Sequence, residues 1–292
     1  MQTLPASSFS WWCCIITRDG AETLGTTLDS IIGQSIPPEF IVVVDDNSKD
    51  RTPKIVEEKK KSFPEIFTIR TRYETRDIRR VPILLNMGLD FVSSNFSKRM
   101  PNYMMVSGDD NDLSPEYASR ILSKMKQENE KKKEVVVVAS GSWAGSSGQM
   151  PHGAGRFVRM DFMRKVGGRY PVAYGWETWL LYKALELGYH VKNYHEVRYT
   201  HLRPYNANNL FGWGRAMYSL GFPSYFVLLR FLINFAYASR GTQSRKASVT
   251  MLVGFLQAKL NKGAVKDMLI EDDALKSFVR HFAAVRLVRL VL

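Results

Sequence analysis

Cysteine is almost missing from this chain of 292 residues: only Cys13 and Cys14 occur, side by side in an apolar run. Neighbours on a strand point to opposite faces, which argues against a mutual disulfide. Such sparse usage fits a reducing, cytoplasmic setting. Carboxylates are also short, with 28 Asp and Glu against 41 Lys and Arg and a net charge of +13. That excess suggests an anionic partner, be it nucleic acid, a sugar nucleotide or an acidic membrane face. Long apolar runs are absent. Phe222–Ala238 comes nearest to the ~20 residues a membrane span needs, but Pro223, Arg230 and Asn234 interrupt it. The first residues show no basic segment leading into an apolar core, so no signal peptide is expected. No nucleic-acid-binding motif is present, and no glycine-rich phosphate loop follows the first apolar run.

What is present is a globular composition, 45% hydrophobic and 12% aromatic, on a chain long enough for one large domain or two small ones. Ser10–Thr17 reads as a strand buried on both faces. Glu22–Gln34 has helical spacing at Leu24, Leu28, Ile31 and Ile32, and Pro37-Pro38 stops it. Phe40–Val44 is a second buried strand, Thr52–Lys61 a helix and Ile66–Arg70 a third strand. This β-α-β-α-β order predicts a mostly parallel, doubly wound α/β sheet. Further along, Tyr103–Val106 and Val135–Ala139 read as buried strands and Val81–Phe91 as a helix. Phe157–Gly168 reads as a short strand and helix. A helix runs from Gly175 through Leu187, with Gly188 as its C-cap, and a strand over Tyr189–Tyr194 and a segment to His201 follow.

Two acidic clusters sit at predicted strand ends: Asp45-Asp46, and Asp109, Asp110 and Asp112 within four positions. In doubly wound sheets, ligands bind at the carboxyl ends of the strands. Carboxylates this close repel one another, and a hard divalent cation such as Mg²⁺ or Mn²⁺ would relieve them beside substrate phosphates. The structural alternative is a solvated turn with Asp112 or Ser114 capping the helix that Pro115 opens. Five arginines from Arg70 to Arg80, and Arg51, could neutralise a diphosphate. The Gly/Ser-rich stretch Ser140–Gly155 suits a lid or binding loop. Glu128–Glu134 reads as a charged surface. From Tyr205 onward the chain turns aromatic, aliphatic and basic. Phe278–Leu292 alternates Arg280, Arg286 and Arg289 with aliphatics at helical spacing, which suits either a helix packed on the domain or one lying in a membrane interface.

Together these pieces resemble the family-2 glycosyltransferases of the GT-A fold, and archaeal or bacterial members in particular. The resemblance runs from Ile15 to about His201. Its most specific piece is Ile-Val-Val-Val-Asp-Asp-Asn-Ser-Lys-Asp-Arg-Thr (41–52), beside the family's Val-Val-Asp-Asp-Gly-Ser-Thr-Asp. Thr17-Arg18-Asp19-Gly20 stands for Thr-Tyr-Asn-Glu, and Asn86-Met87-Gly88 for the Asn-x-Gly step. Asp109-Asp110-Asn111-Asp112 occupies the Asp-x-Asp region, and Glu177 takes the place of the second residue of a Glu-Asp pair.

The resemblance implies an inverting transfer of sugar from a nucleoside-diphosphate sugar, UDP- or GDP-linked, to a glycan, lipid-linked or other hydroxyl acceptor. It implies a mixed, mostly parallel Rossmann-like sheet over residues 1–204 and a helical extension over 205–292. Asp45 or Asp46 would accept a hydrogen bond from the base, helped by Thr17 and Asp19, with Arg80, Asn86 and Asp109 completing the donor site. Asp110 would lead a Mg²⁺ or Mn²⁺ site with Asp112 and, at lower weight, His201. Glu177 would be the general base, although a first-turn helix acid is its plainer reading. A nucleotidyltransferase and a non-catalytic protein with a basic surface are the competing readings. The setting would be cytoplasmic, free or peripheral on the membrane face.

Overall fold

The computed structural model describes residues 9–74, 79–131, 135–143, 146, 148–204, 210–236 and 245–291, without the side chains of 262, 264 and 286–291. The chain divides into two compact units. The first holds residues 1–76, 83–169 and 187–204; the second holds 77–82, 170–186 and 205–292.

The first unit follows the alternation read from sequence: β1 (Trp11–Thr17), α1 (Leu24–Ile32), β2 (Ile41–Asp45), α2 (Thr52–Lys60), β3 (Ile66–Arg70) and α3 (Arg80–Asn95). The chain continues through β4 (Tyr103–Ser107), β5 (Asn111–Leu113), α4 (Tyr117–Glu130), β6 (Val136–Ser142), β7 (Arg156–Arg159), α5 (Met160–Lys165) and β8 (His190–His201). Residues 80–82 of α3 belong to the second unit. The strands form one eight-stranded sheet in the order β3-β2-β1-β4-β7-β6-β8-β5. β1 lies parallel to β2 and β4, and β2 to β3, while β7 runs antiparallel to both β4 and β6. The fold is the GT-A kind of α/β sheet.

β1 is apolar up to its last residue, Thr17, and β2 up to Asp45, because helices cover both of their faces. On one face, Leu24, Leu28 and Ile31 of α1 and Tyr117, Ile121 and Met125 of α4 pack with Trp11, Cys13 and Ile15. On the other, Trp12 and Phe40 stack at 5.8 Å and Phe40 and Phe96 at 4.2 Å. A Cβ added to Gly88 of α3 would lie 2.7 Å from Cys14 Sγ, so that helix seats directly on β1. Cys13 and Cys14 therefore face opposite cores. Both are free, and burial raises both thiols, Cys14 to about 12.

Three elements differ from expectation. Asn111–Leu113 is a strand, because it finds the antiparallel partner β8 across residues 199–201. β8 is a single strand of 12 residues that pairs first with β6 and then with β5. The α4 helix starts at Tyr117 with Glu116 in the capping position and no side-chain cap, so neither Asp112 nor Ser114 caps it.

The second unit contains α6 (Trp176–Glu186), α7 (Leu210–Ser219), α8 (Ser224–Ala236), α9 (Arg245–Leu260), the short α10 (Lys262–Val265) and α11 (Asp273–Val291). α7 and α9 pack backbone to backbone: a Cβ at Gly214 would strike the Met251 carbonyl, and one at Gly254 the Phe211 carbonyl. Lys183 ties α6 to Asp272 at 2.8 Å and to Glu186 at 2.7 Å. No described helix is long and apolar enough to cross a membrane. Because backbone cannot move aside as a flexible side chain can, Gly254→Val is expected to lower the melting temperature by about 5 °C, measured by circular dichroism.

Candidate active site

Strand register builds the site. Thr17 pairs with Asp45 across β1 and β2, and Ile15 with Ser107 across β1 and β4. The carboxyl ends of three parallel strands thus lie side by side, and the loops leaving them, 17–20, 45–50 and 108–110, share one sheet edge. Thr17 donates to Asp109 Oδ2 at 2.6 Å, linking positions 92 residues apart. Arg203, beyond β8, donates through Nη2 to Asp109 Oδ1, and its Nε lies 3.8 Å from Asp110 Oδ2. One guanidinium therefore serves two carboxylates. Gly20 closes the pocket around this group, since a Cβ there would strike the Asp109 carboxylate.

The β2 end is equally crowded. Ser48 N–H donates to Asp45 Oδ1 at 2.9 Å, closing the turn, and Arg70 Nε lies 3.4 Å from Asp45 Oδ2. Asp46 accepts from Thr71 Oγ1 at 3.0 Å and pairs with Arg18 at 3.4 Å. Asp19 and Asn47 adopt positive φ, 53° and 59°, the sole non-glycine residues to do so among those described. Such a conformation costs of order 1 kcal/mol and is least costly for Asp and Asn. The surroundings hold both: Lys49 N–H donates to Asp19 Oδ1 at 2.8 Å, and Asn47 Nδ2 donates to the Tyr73 carbonyl at 2.9 Å.

Burial is the largest influence on Asp109 and raises its carboxyl above the ordinary value of 3.8; the Thr17 hydrogen bond and the Arg203 charge pull it back down. Burial likewise lowers His201, and Asp110 acts against that, so the imidazole is uncharged at neutral pH. His201 stands opposite Asn111 in the β5–β8 register, with its ring against Trp143 at 5.1 Å. The Leu202 N–H donates to the Asp110 carbonyl at 2.7 Å. Asn111 Oδ1 is buried without a hydrogen bond, a cost of about 1–3 kcal/mol.

Of the residues singled out from sequence, Thr17, Asp19, Asp45, Asp46, Asp109 and Asp110 come together at these strand ends. His201 adjoins them through β5. Asp112 is exposed between buried Asn111 and Leu113, so its carboxylate leaves β5 on the opposite side and lines a shallow pocket with Arg198 and Thr200. Asn86 is buried on α3. Arg80 and Glu177 belong to the second unit, Glu177 half-buried in the first turn of α6. Sequence reasoning missed the pairings of Arg18, Arg70 and Arg203; none of these has a local periodic signal. In the Gly/Ser-rich loop, residues 144, 145 and 147 lie outside those described. The loop's two ends are joined by Tyr117, whose hydroxyl accepts from Gly141 N–H at 2.8 Å and donates to the Gly155 carbonyl at 2.9 Å.

The donor set suits a hard cation. Asp109 and Asp110 offer oxygen ligands and His201 an uncharged ring. Their shared need for positive charge is visible in the Arg203 contacts. Among the described residues no group of three or more His, Cys, Asp or Glu is arranged to hold a metal ion. Substrate oxygens would have to complete the shell, as is usual for Mg²⁺ beside phosphates.

A mixed, mostly parallel sheet with acidic loops at the carboxyl ends of its parallel strands belongs to the α/β class of folds that receive ligands at that end. The chain belongs to glycosyl transferase family 2, whose profile matches residues 12–185. Among solved structures, the mannosyltransferase PcManGT from Pyrobaculum calidifontis, in complex with GDP-Man and Mn²⁺, is similar at TM-score 0.58 and 13% identity, over 97% of this chain and 83% of that one. S. aureus TarS 1–349 in complex with UDP follows at TM-score 0.52 and 12% identity, over 86% and 72%. Glucosyl-3-phosphoglycerate synthase from Mycobacterium tuberculosis, with Mn²⁺, UDP and glucosyl-3-phosphoglycerate, gives TM-score 0.52 and 11% identity, over 72% and 78%. At these identities the likeness speaks for the fold. No curated protein matches the sequence significantly.

A carboxyl that the fold keeps protonated to higher pH stabilises the fold at low pH. That contribution is lost as pH rises from 3.8 through the folded value and is constant above it. Asp109→Asn is expected to remove this loss. In metal-free protein, the melting temperature of wild type minus variant should fall with rising pH across that window and then level off.

Proposed function

We propose that this family-2 glycosyltransferase moves a sugar from a UDP- or GDP-linked donor to an acceptor hydroxyl, with inversion and with a divalent metal. The observation that carries this reading is the pair Asp109–Asp110 at the end of β4, sharing one guanidinium beside the Asp45–Asp46 loop. Thr17, Asp19, Asp45 and Asp46 form the base-recognition end, with Asn86 and Arg80 as further donor-binding residues. Asp110 is the principal metal ligand, Asp109 stands beside it, and His201 is the remaining candidate. When bound, Mg²⁺ or Mn²⁺ would offset the charge gathering on the diphosphate.

Arg203 supplies a fixed cation at the same carboxylates and can turn to the leaving group as its charge grows. Glu177 takes the proton from the acceptor hydroxyl as that oxygen bonds to the anomeric carbon. The bond from that carbon to the diphosphate oxygen breaks on the opposite face, and the nucleoside diphosphate leaves with the electron pair. A single displacement inverts the anomeric centre. Residues 1–204 carry this chemistry and 205–292 form a helical extension. Two buried free cysteines and the basic extension support work at the cytoplasmic face of a membrane, on a glycan or lipid-linked acceptor.

The test is a panel of UDP- and GDP-sugars in a thermal-shift assay, with and without Mn²⁺. A matching donor near 100 times its Kd stabilises by about 2.7 kcal/mol. Asp110→Ala is expected to lose the metal-linked part of the shift. Glu177→Gln should keep the shift while transfer falls about 10²–10⁴-fold; normal transfer by that variant would remove Glu177 from the base role.

A further inference from the structure

Helices α8 and α9 pack against each other, and each shows a stripe of apolar side chains to solvent. On α8 the exposed set is Tyr225, Leu228, Leu232, Ile233 and Phe235; on α9 it is Val249, Val253, Leu256 and Leu260. At about 100° per residue, the α9 set falls within an arc of about 60° and the α8 set within about 160°. Leu232 is 52% exposed and Leu260 79%, so these are not the edges of a core. α9 is the sharper case. Met251, Phe255 and Ala258 are buried on its inner side, where Gly254 meets α7, so its apolar stripe lies opposite an apolar core face. A surface helix in water would carry a polar face there. Scattered exposed apolar residues are ordinary, but two aligned stripes on packed helices mark a binding surface.

Charge selects the partner. No Asp or Glu occurs between Glu196 and Asp267, so neither helix carries a carboxylate, while Arg230, Arg245, Lys246 and Lys259 do sit on them. Where α8 begins, a pocket of about 280 Å³ is lined by Lys259, Lys276 and Arg280 together with Ser224 and Tyr218, and no acid lines it. Lys259 donates to Ser224 Oγ at 2.9 Å, and the nearest carboxylate to Lys276, Asp273 at 4.0 Å, is fully exposed. A phosphate suits this setting: three cations, hydroxyl donors and the positive end of a helix of 13 residues. A second copy of the chain suits it poorly, because pairing two such faces would set cations against cations.

We propose that α8 and α9 lie on an anionic phospholipid bilayer, their stripes entering the acyl-chain boundary while Lys259, Lys276 and Arg280 take a lipid phosphate. This deepens the membrane placement proposed above and names the face that makes it, independently of the transfer chemistry.

The experiment is flotation of the full chain with vesicles of phosphatidylcholine alone and of phosphatidylcholine with phosphatidylglycerol in equal parts, at low and high salt. Wild type is expected to float with the mixed vesicles and not with the neutral ones. Leu232→Glu and Val253→Glu, at exposed positions that leave the fold intact by circular dichroism, should each reduce the bound fraction about tenfold or more. Lys276→Ser with Arg280→Ser should lose the preference for phosphatidylglycerol. Three results overturn the proposal: no flotation of wild type, flotation unchanged in both Glu variants, or stabilisation by inorganic phosphate without vesicle binding. A dimer in sedimentation velocity that Leu232→Glu dissociates, with no flotation, overturns it in favour of self-association. Donor-induced thermal shift on the wild type keeps the two readings apart. Absent flotation of wild type with intact donor binding counts against this face alone, and flotation of wild type without donor binding counts against the transfer reading alone.

Discussion

Thr17 and Asp109 meet at 2.6 Å where two neighbouring parallel strands end, and the carboxylate between them is largely buried. A buried carboxylate needs donors, and this one has a hydroxyl on one oxygen and the Arg203 guanidinium on the other. The neighbouring residues are constrained in turn. Position 20 must lack a side chain, because the carboxylate fills the space a Cβ would take. Arg203 must arrive from the far end of β8, which ties the last strand of the sheet to its first. Asp110, next along the loop, then shares the same cation at longer range.

The β2 end repeats the arrangement with different parts. Asp45 is committed to its own turn through Ser48, and Asp46 to Thr71 and Arg18. Carboxylates at both strand ends are therefore already oriented by short polar contacts and by guanidinium groups. Two backbone positions in left-handed conformation, Asp19 and Asn47, shape the loops between them. Strain gathered beside polar groups is common where a ligand is received. Here it coincides with the part of the fold that family 2 shares, residues 12–185.

The C-terminal helices obey a different constraint. α7 and α9 approach so closely that glycine is required on both, and that approach leaves α9 with an apolar core face and an apolar outer stripe. Such a helix has no periodic contrast between its sides. Apolar residues therefore recur on both of its sides, which is why composition alone marks this region as unusual without saying which way any side chain points.

Strands β1 and β2 are legible as apolar runs because burial on both faces leaves no polar alternation to confuse them. The acidic pairs are legible because they follow those runs directly. β5 was not legible: three residues including two polar ones become a strand only because β8 offers them a partner. That pairing also sends the Asp112 carboxylate to the far side from its buried neighbours, which spacing along the chain does not reveal. The sharing of Arg203 between Asp109 and Asp110 spans more than ninety residues and depends on the sheet register, not on any local pattern. By itself the sequence determined the element order, the sheet class and which strand ends are acidic, because periodicity and short-range chemistry record local burial. The tertiary structure alone decided which cation serves which carboxylate and which helix faces remain open to solvent, since both follow from pairings between residues far apart in the chain.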